Sequence, residues 1–131
     1  MAEKKGYKVY QPNKKDLACK RSDCVIRALC KATSKEWLEV FDGLVAVARE
    51  LQAIPNEPVT YKKYLEDMGY KWVGLKAEKG KARLTPKTFC KKYNQGCYIL
   101  SVANHLVTAV DGCYYDTWDC GNKCVYGYWT L

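Results

Sequence analysis

The run from Asn104 to Trp118 limits what this chain can fold into more than any other, because it reads as a β-hairpin of fixed register. Residues 105–110 and 113–118 are rich in Val, Thr, Tyr and Trp, and Asp111-Gly112 between them tolerates the positive φ angles of a type I′ turn. A two-residue loop sets Val110 opposite Cys113, Ala109 opposite Tyr114, Val107 opposite Asp116 and His105 opposite Trp118. Strand alternation then puts residues 105, 107, 109, 114, 116 and 118 on one face. His105, the one histidine of the chain, and Asp116 become diagonal neighbours. Their Cβ atoms are expected roughly 7 Å apart or less, close enough for a carboxylate to hold an imidazole nitrogen. Asp119 is expected on the other face and Asp111 too far along the strand, so the pattern selects Asp116.

A hairpin needs a covering layer, and 131 residues suffice for a single domain with a modest core. The fractions of hydrophobic and charged residues, 48% and 27%, are those of a globular protein, and no apolar run approaches a membrane span. Residues 1–15 are charged and lack the apolar segment of an export signal, so a reducing cytoplasmic location is expected. The eight cysteines are accordingly expected as thiols rather than disulfides. A net charge of +8 suits acidic partners, but the lysines are scattered and form no basic stripe. They read as solvated surface, and neither nucleic acid nor a membrane is an expected partner.

Taken in order, residues 1–22 are polar, carry Pro12 and read as an N-terminal arm. Ser22 or Asp23 can cap a largely apolar helix over residues 24–32, which puts Cys24 in its first turn. Free backbone N–H groups and the helix dipole there favour a thiolate. Thr33 and Glu36 fit a capping box for a helix over 35–51, whose stripe of Trp37, Phe41, Leu44, Ala48 and Leu51 is expected to be buried. Pro55 and Pro58 precede a third helix over 60–68, packing through Tyr61, Tyr64, Leu65 and Met68 and ending at Gly69. A short strand over 70–75, a charged loop over 76–83 and a helix over 86–93 capped by Thr85 follow. Strands are expected over 97–102, across the hairpin and over 123–129. The predicted fold is therefore α+β: one domain over 1–131, mostly helical over 23–95, packed on a C-terminal antiparallel sheet over 96–131.

A cysteine opening a buried helix, with a histidine and an aspartate paired on later strands, has the parts of a thiol hydrolase. Cys24 would attack a carbonyl carbon, His105 would share and return the proton, and Asp116 would orient His105. The backbone N–H of Cys24 is placed to stabilise the oxyanion. Neither a cofactor nor a metal is needed for this chemistry.

At these residues the chain resembles the papain-like cysteine peptidases. Asn104 to Val110 looks like the family's histidine strand, and Asp116-Thr117-Trp118 looks like its Asn-Ser-Trp, with Asp for Asn and Trp118 shielding the pair. Asp23-Cys24 followed by Ala28 is similar to the small bacterial and phage proteins of the double-glycine leader peptidase type. The resemblance implies a papain-like fold over residues 20–131, with Cys24 facing His105 and a peptide or protein substrate cleaved at a peptide, isopeptide or related acyl bond. The family's oxyanion-hole Gln lies six residues before the cysteine, where this chain has Ala18; Gln11, Asn13 and Ser22 are the alternatives. Val25-Ile26 follows Cys24 in place of the family's glycine and tryptophan.

Three other readings stand beside this one. The first is a papain-like binding protein of phage-effector or inhibitor type, recognising an acidic protein or nucleic acid. The second is acyl transfer, which uses the same three residues. The third is a zinc site built from Cys113, Cys120, Cys124 and His105, whose spacings lack the paired knuckles of structural zinc sites.

Overall fold

The computed structural model describes residues 6–15 and 22–131. Its hairpin is built as the turn chemistry demands: Asp111 and Gly112 adopt φ of 49° and 84° and join β4 (His105–Val110) to β5 (Cys113–Asp116). Val110 pairs with Cys113, Ala109 with Tyr114 and Thr108 with Tyr115, which is the expected register. The strand β5 stops at Asp116 rather than continuing to residue 118, so Trp118 is not paired across from His105. A second tight turn at Asn104, with φ of 51°, returns β3 (Cys97–Val102) onto β4.

Around this hairpin the sheet is mixed rather than antiparallel. Its six strands run in the order β1-β5-β4-β3-β6-β2. Two of them come from outside the segment expected to hold the sheet. Part of the N-terminal arm forms β1 (Tyr7–Val9), parallel to β5, and β2 (Lys71–Gly74) from the helical half pairs antiparallel with β6 (Gly127–Thr130). The last strand thus starts later than the expected 123. Only glycine fits at its first position, because a Cβ on Gly127 would lie 2.4 Å from the Trp72 ring of β2.

One face of the sheet carries α1 (Cys24–Thr33), α2 (Trp37–Leu51) and α3 (Pro58–Asp67). Leu29, Val40, Leu44, Leu65 and Ile99 are fully buried between them. Each such side chain contributes about 1.5–3 kcal/mol of apolar burial. The other face packs Leu100, Val107, Ala109 and Tyr114 against Phe89 and Cys90 of α4 (Pro86–Lys92), capped by Thr85 as expected. No helix among the described residues is long and apolar enough to cross a membrane.

Differences within the helices have local causes. Ser34, in the left-handed region at φ 60°, ends α1, and Thr33 closes it by donating its hydroxyl to the Leu29 carbonyl. Thr33 is therefore unavailable to cap α2, and Glu36 does so with Glu39 as its reciprocal partner. In the α2 stripe Leu44 and Ala48 are buried and Trp37 and Phe41 half-buried, while Leu51 lies exposed at the helix end.

The contact that fixes α1 on the sheet is polar. Thr108, fully buried in β4, donates its hydroxyl to the Ala28 carbonyl at 2.6 Å. Thr108→Val keeps the shape and removes the donor, and is expected to lower the unfolding free energy by about 1 kcal/mol in urea denaturation. An unchanged midpoint would show that this bond does not tie α1 to β4.

Candidate active site

His105 is the first residue of β4 and Asp116 the last of β5, so the antiparallel pairing brings both to one end of the sheet. The first residue of α1, Cys24, lies at the same end. His105 Nε2 and Asp116 Oδ2 are 2.5 Å apart, with side chains 9% and 1% exposed. The contact is nearly dry. Trp118, although outside the strand, still lies on His105, its ring centroid 4.9 Å away and its outer side solvent-exposed. Asp119 lies beyond the end of β5, so the strand register does not reach it; it accepts the hydroxyl of Tyr114 and the backbone N–H of Gly121.

Burial by itself would raise the pKa of the Cys24 thiol. Hydrogen bonds to His105 and to the backbone at Leu106, with the positive charges of His105 and Arg27, outweigh burial and hold it below its ordinary 9.0. Burial likewise opposes charge on His105, but hydrogen bonds to Asp116, Cys120 and Cys24 raise it to about 11. For Asp116, burial is again overcome, by His105 first and then by Arg27 and the Thr117 backbone, so its carboxyl stays below the usual value. Burial pushes Cys30 and Cys90 up to about 12. The arrangement shifts Cys24 down and His105 up, whereas the buried thiols Cys30 and Cys90 are pushed up. The seven described cysteines are free, while Cys19, like Ala18, lies outside the described residues.

Cys24 and His105 open onto a cleft of about 440 Å³, bounded also by Ser22, Asn56, Tyr61 and Asn104. Pro58, Tyr61 and Ser101 are shared with a second depression, which adds Val59, Trp72 and Trp129. Of the three side chains weighed for an oxyanion hole, Ser22 lines the cleft and the other two do not. Gln11 accepts the backbone N–H of Asn13 at 2.9 Å, and Asn13 accepts that of Lys15 at 3.0 Å. Both are used in a local turn, and Asn13 faces a separate depression against Glu36 and Trp37.

Three participants take roles that the sequence does not indicate. Arg27, 5% exposed, donates from Nη2 to Asp116 Oδ1 at 2.9 Å and from Nη1 to Asp23 Oδ1 at 2.6 Å. Asp23 is expected to cap α1 with its side chain, but its carboxylate turns to Arg27 and to the indole N–H of Trp37 at 2.9 Å instead. Their spacing could have found them: Asp23 and Arg27 are i,i+4, and Arg27 falls three residues after Cys24, on the same helix face. Cys120, from the loop after β5, donates its thiol to Asp116 Oδ2 at 3.4 Å, and nothing in the local sequence marks it. Among the described residues, His105, Asp116 and Cys120 hold possible metal-ligand atoms within 4.8 Å of one another. Cys113 and Cys124 are not in that group, so the four-residue zinc set does not assemble.

No protein-family model matches this chain, and no curated protein or solved structure matches it significantly.

The His105–Asp116 contact makes stability depend on pH in a definite direction. The Asp116 contribution is present above its unfolded value of 3.8 and is lost as pH falls through the lower folded value. The His105 contribution is complete below 6.5 and is lost as pH rises towards about 11. The urea-midpoint difference between the wild type and His105→Gln is therefore expected to be largest at about pH 4–6.5 and to shrink steadily above that range. A difference that grows between about pH 7 and 10 would contradict the assignment.

Proposed function

We propose that this chain is a papain-like cysteine hydrolase in which Cys24 is the nucleophile, His105 the acid and base, and Asp116 the residue that orients His105. The observation that carries the reading is the Cys24 thiol: it opens a helix, lies beside His105 and is held below the ordinary thiol pKa, although more than half buried. A buried structural cysteine would be pushed the other way, as Cys30 and Cys90 are.

The steps follow from the protonation states. The Cys24 thiolate attacks the carbonyl carbon of a peptide, isopeptide or related acyl group, forming the C–S bond. The oxyanion meets the Cys24 backbone N–H at the helix start, with the Ser22 hydroxyl as one side-chain donor lining the cleft. His105 gives its proton to the leaving amine, the C–N bond breaks, and a thioester remains on Cys24. His105, now neutral, takes a proton from water, whose oxygen attacks the thioester and releases Cys24 as thiolate. Asp116 keeps the ring in place throughout, and Trp118 shields their contact from water. The cleft and its adjoining depression give an extended peptide segment room on the Pro58 side.

Iodoacetamide at neutral pH is expected to alkylate Cys24 ahead of the exposed Cys124 and the other thiols, read by peptide mass spectrometry. Alkylation of Cys24 no faster than that of Cys124 would count against activation and favour the binding-protein reading. Asp116→Ala is expected to slow Cys24 alkylation about tenfold or more, whereas Asp119→Ala leaves it within about twofold. The reverse order would refute the assigned roles.

A further inference from the structure

Behind the candidate site lies a chain of buried charge that the reaction above does not use directly: Asp23, Arg27 and Asp116, with side chains 4%, 6% and 1% exposed. We infer that Arg27 is a positioning residue for that reaction, clamping Asp116 to the N-terminus of α1 so that one carboxylate oxygen stays on His105. This inference rests on the hydrolase reading and adds a requirement to it.

Geometry makes the clamp. Asp116 Oδ1 accepts from Arg27 at 2.9 Å and from the Thr117 backbone N–H at 2.7 Å. With that oxygen doubly held the carboxylate cannot rotate, and Oδ2 is the oxygen presented to His105 and Cys120. Arg27 is itself held by Asp23, and Asp23 by Trp37 of α2. The guanidinium thus links the helix that carries Cys24 to the strand end that supports His105. Lysine could not do this, because a single ammonium lacks two arms in a fixed plane.

Charge gives the clamp its purpose. Carboxylates and cations alternate along Asp23, Arg27, Asp116 and His105, with Cys24 at the end of the chain. During the reaction His105 passes its proton to the leaving group, which would leave Asp116 a buried anion beside a neutral ring. Arginine does not give up its proton in proteins, so Arg27 compensates Asp116 at every stage. A purely structural role is the weaker account, since a buried ion-pair cluster can often be replaced by apolar residues without loss of stability, and α1 is otherwise largely apolar. The Arg27 charge also acts on both Cys24 and Asp116 in the direction that favours their ionised forms. Among the described residues, Tyr7 on β1, Tyr61 on α3 and Cys120 after β5 are the other titratable groups that act with Asp116 or Cys24.

The test is the pH profile of Cys24 alkylation in the full chain, with thermal unfolding recorded alongside. Arg27→Met is expected to move the midpoint of the profile upward by about one pH unit, slowing alkylation about tenfold on its acidic side. Arg27→Lys keeps the charge and loses one arm, and is expected to lie between Arg27→Met and the wild type. Lys63→Met, at the exposed Lys63–Asp67 pair, is the surface control and is expected to leave the profile unchanged. If Arg27→Met folds and its profile superposes on the wild type, Arg27 is structural only and the inference is overturned. If it does not fold, Arg27→Lys decides: a profile identical to the wild type overturns the inference, and an upward shift supports it. A wild-type midpoint at the ordinary thiol value would instead sink the hydrolase reading, a failure distinct from that of the clamp.

Discussion

Everything at the helix–sheet junction depends on how one buried anion, Asp116, is compensated. It is fully buried at the end of β5, where an uncompensated carboxylate would cost several kcal/mol. The fold answers with two cations on different elements. Arg27 comes from α1 and holds one oxygen; His105 comes from β4 and holds the other. Each partner supplies part of that compensation from a different element, so helix, hairpin and candidate nucleophile are held in one relative position. The hydrogen bond from Thr108 to Ala28 pins the same helix further along, and the Tyr10 N–H to the Asp116 carbonyl secures the strand end from the β1 side.

The chemistry proposed for Cys24 follows from that rigidity. A thiol at a helix start has some tendency to ionise, but burial works against it, and burial is the largest single influence on this one. Only a neighbour that is reliably positive reverses the balance. His105 is such a neighbour because Asp116 raises its proton affinity, and Asp116 is held as an anion by His105 first and then by Arg27 behind it. Each group sets the state of the next, which explains why charge collects in a helix whose other buried residues are Val25, Ile26, Ala28, Leu29 and Cys30.

Much of this was legible in the sequence, and the exceptions have physical reasons. The hairpin and its register are readable because the Asp111-Gly112 turn and the period of two fix every facing pair. Cys24 is readable because a cap residue precedes an apolar helix. The parallel strand β1 is not, since three residues carry no period and its pairing with β5 is remote in sequence. Its presence turns an expected antiparallel sheet into a mixed one. The end of β5 at Asp116 was also hidden, yet Trp118 reaches His105 from outside the strand, so the neighbour was found through a pairing that does not form. Arg27 is not legible, because a charge inside an apolar run reads as a surface residue and its two carboxylate partners come together only in the fold. Gln11 and Asn13 have the chemistry of oxyanion donors, but the turn that consumes their oxygens is a feature of local geometry.

The most direct test of the account is an NMR titration of His105, whose ring signals need no assignment because the chain has one histidine. The account predicts an imidazolium, protonated at both ring nitrogens, through neutral pH, with a pKa that falls in Cys24→Ser as the thiolate beside it is removed. A ring that titrates near 6.5, indifferent to the presence of Cys24, would contradict it.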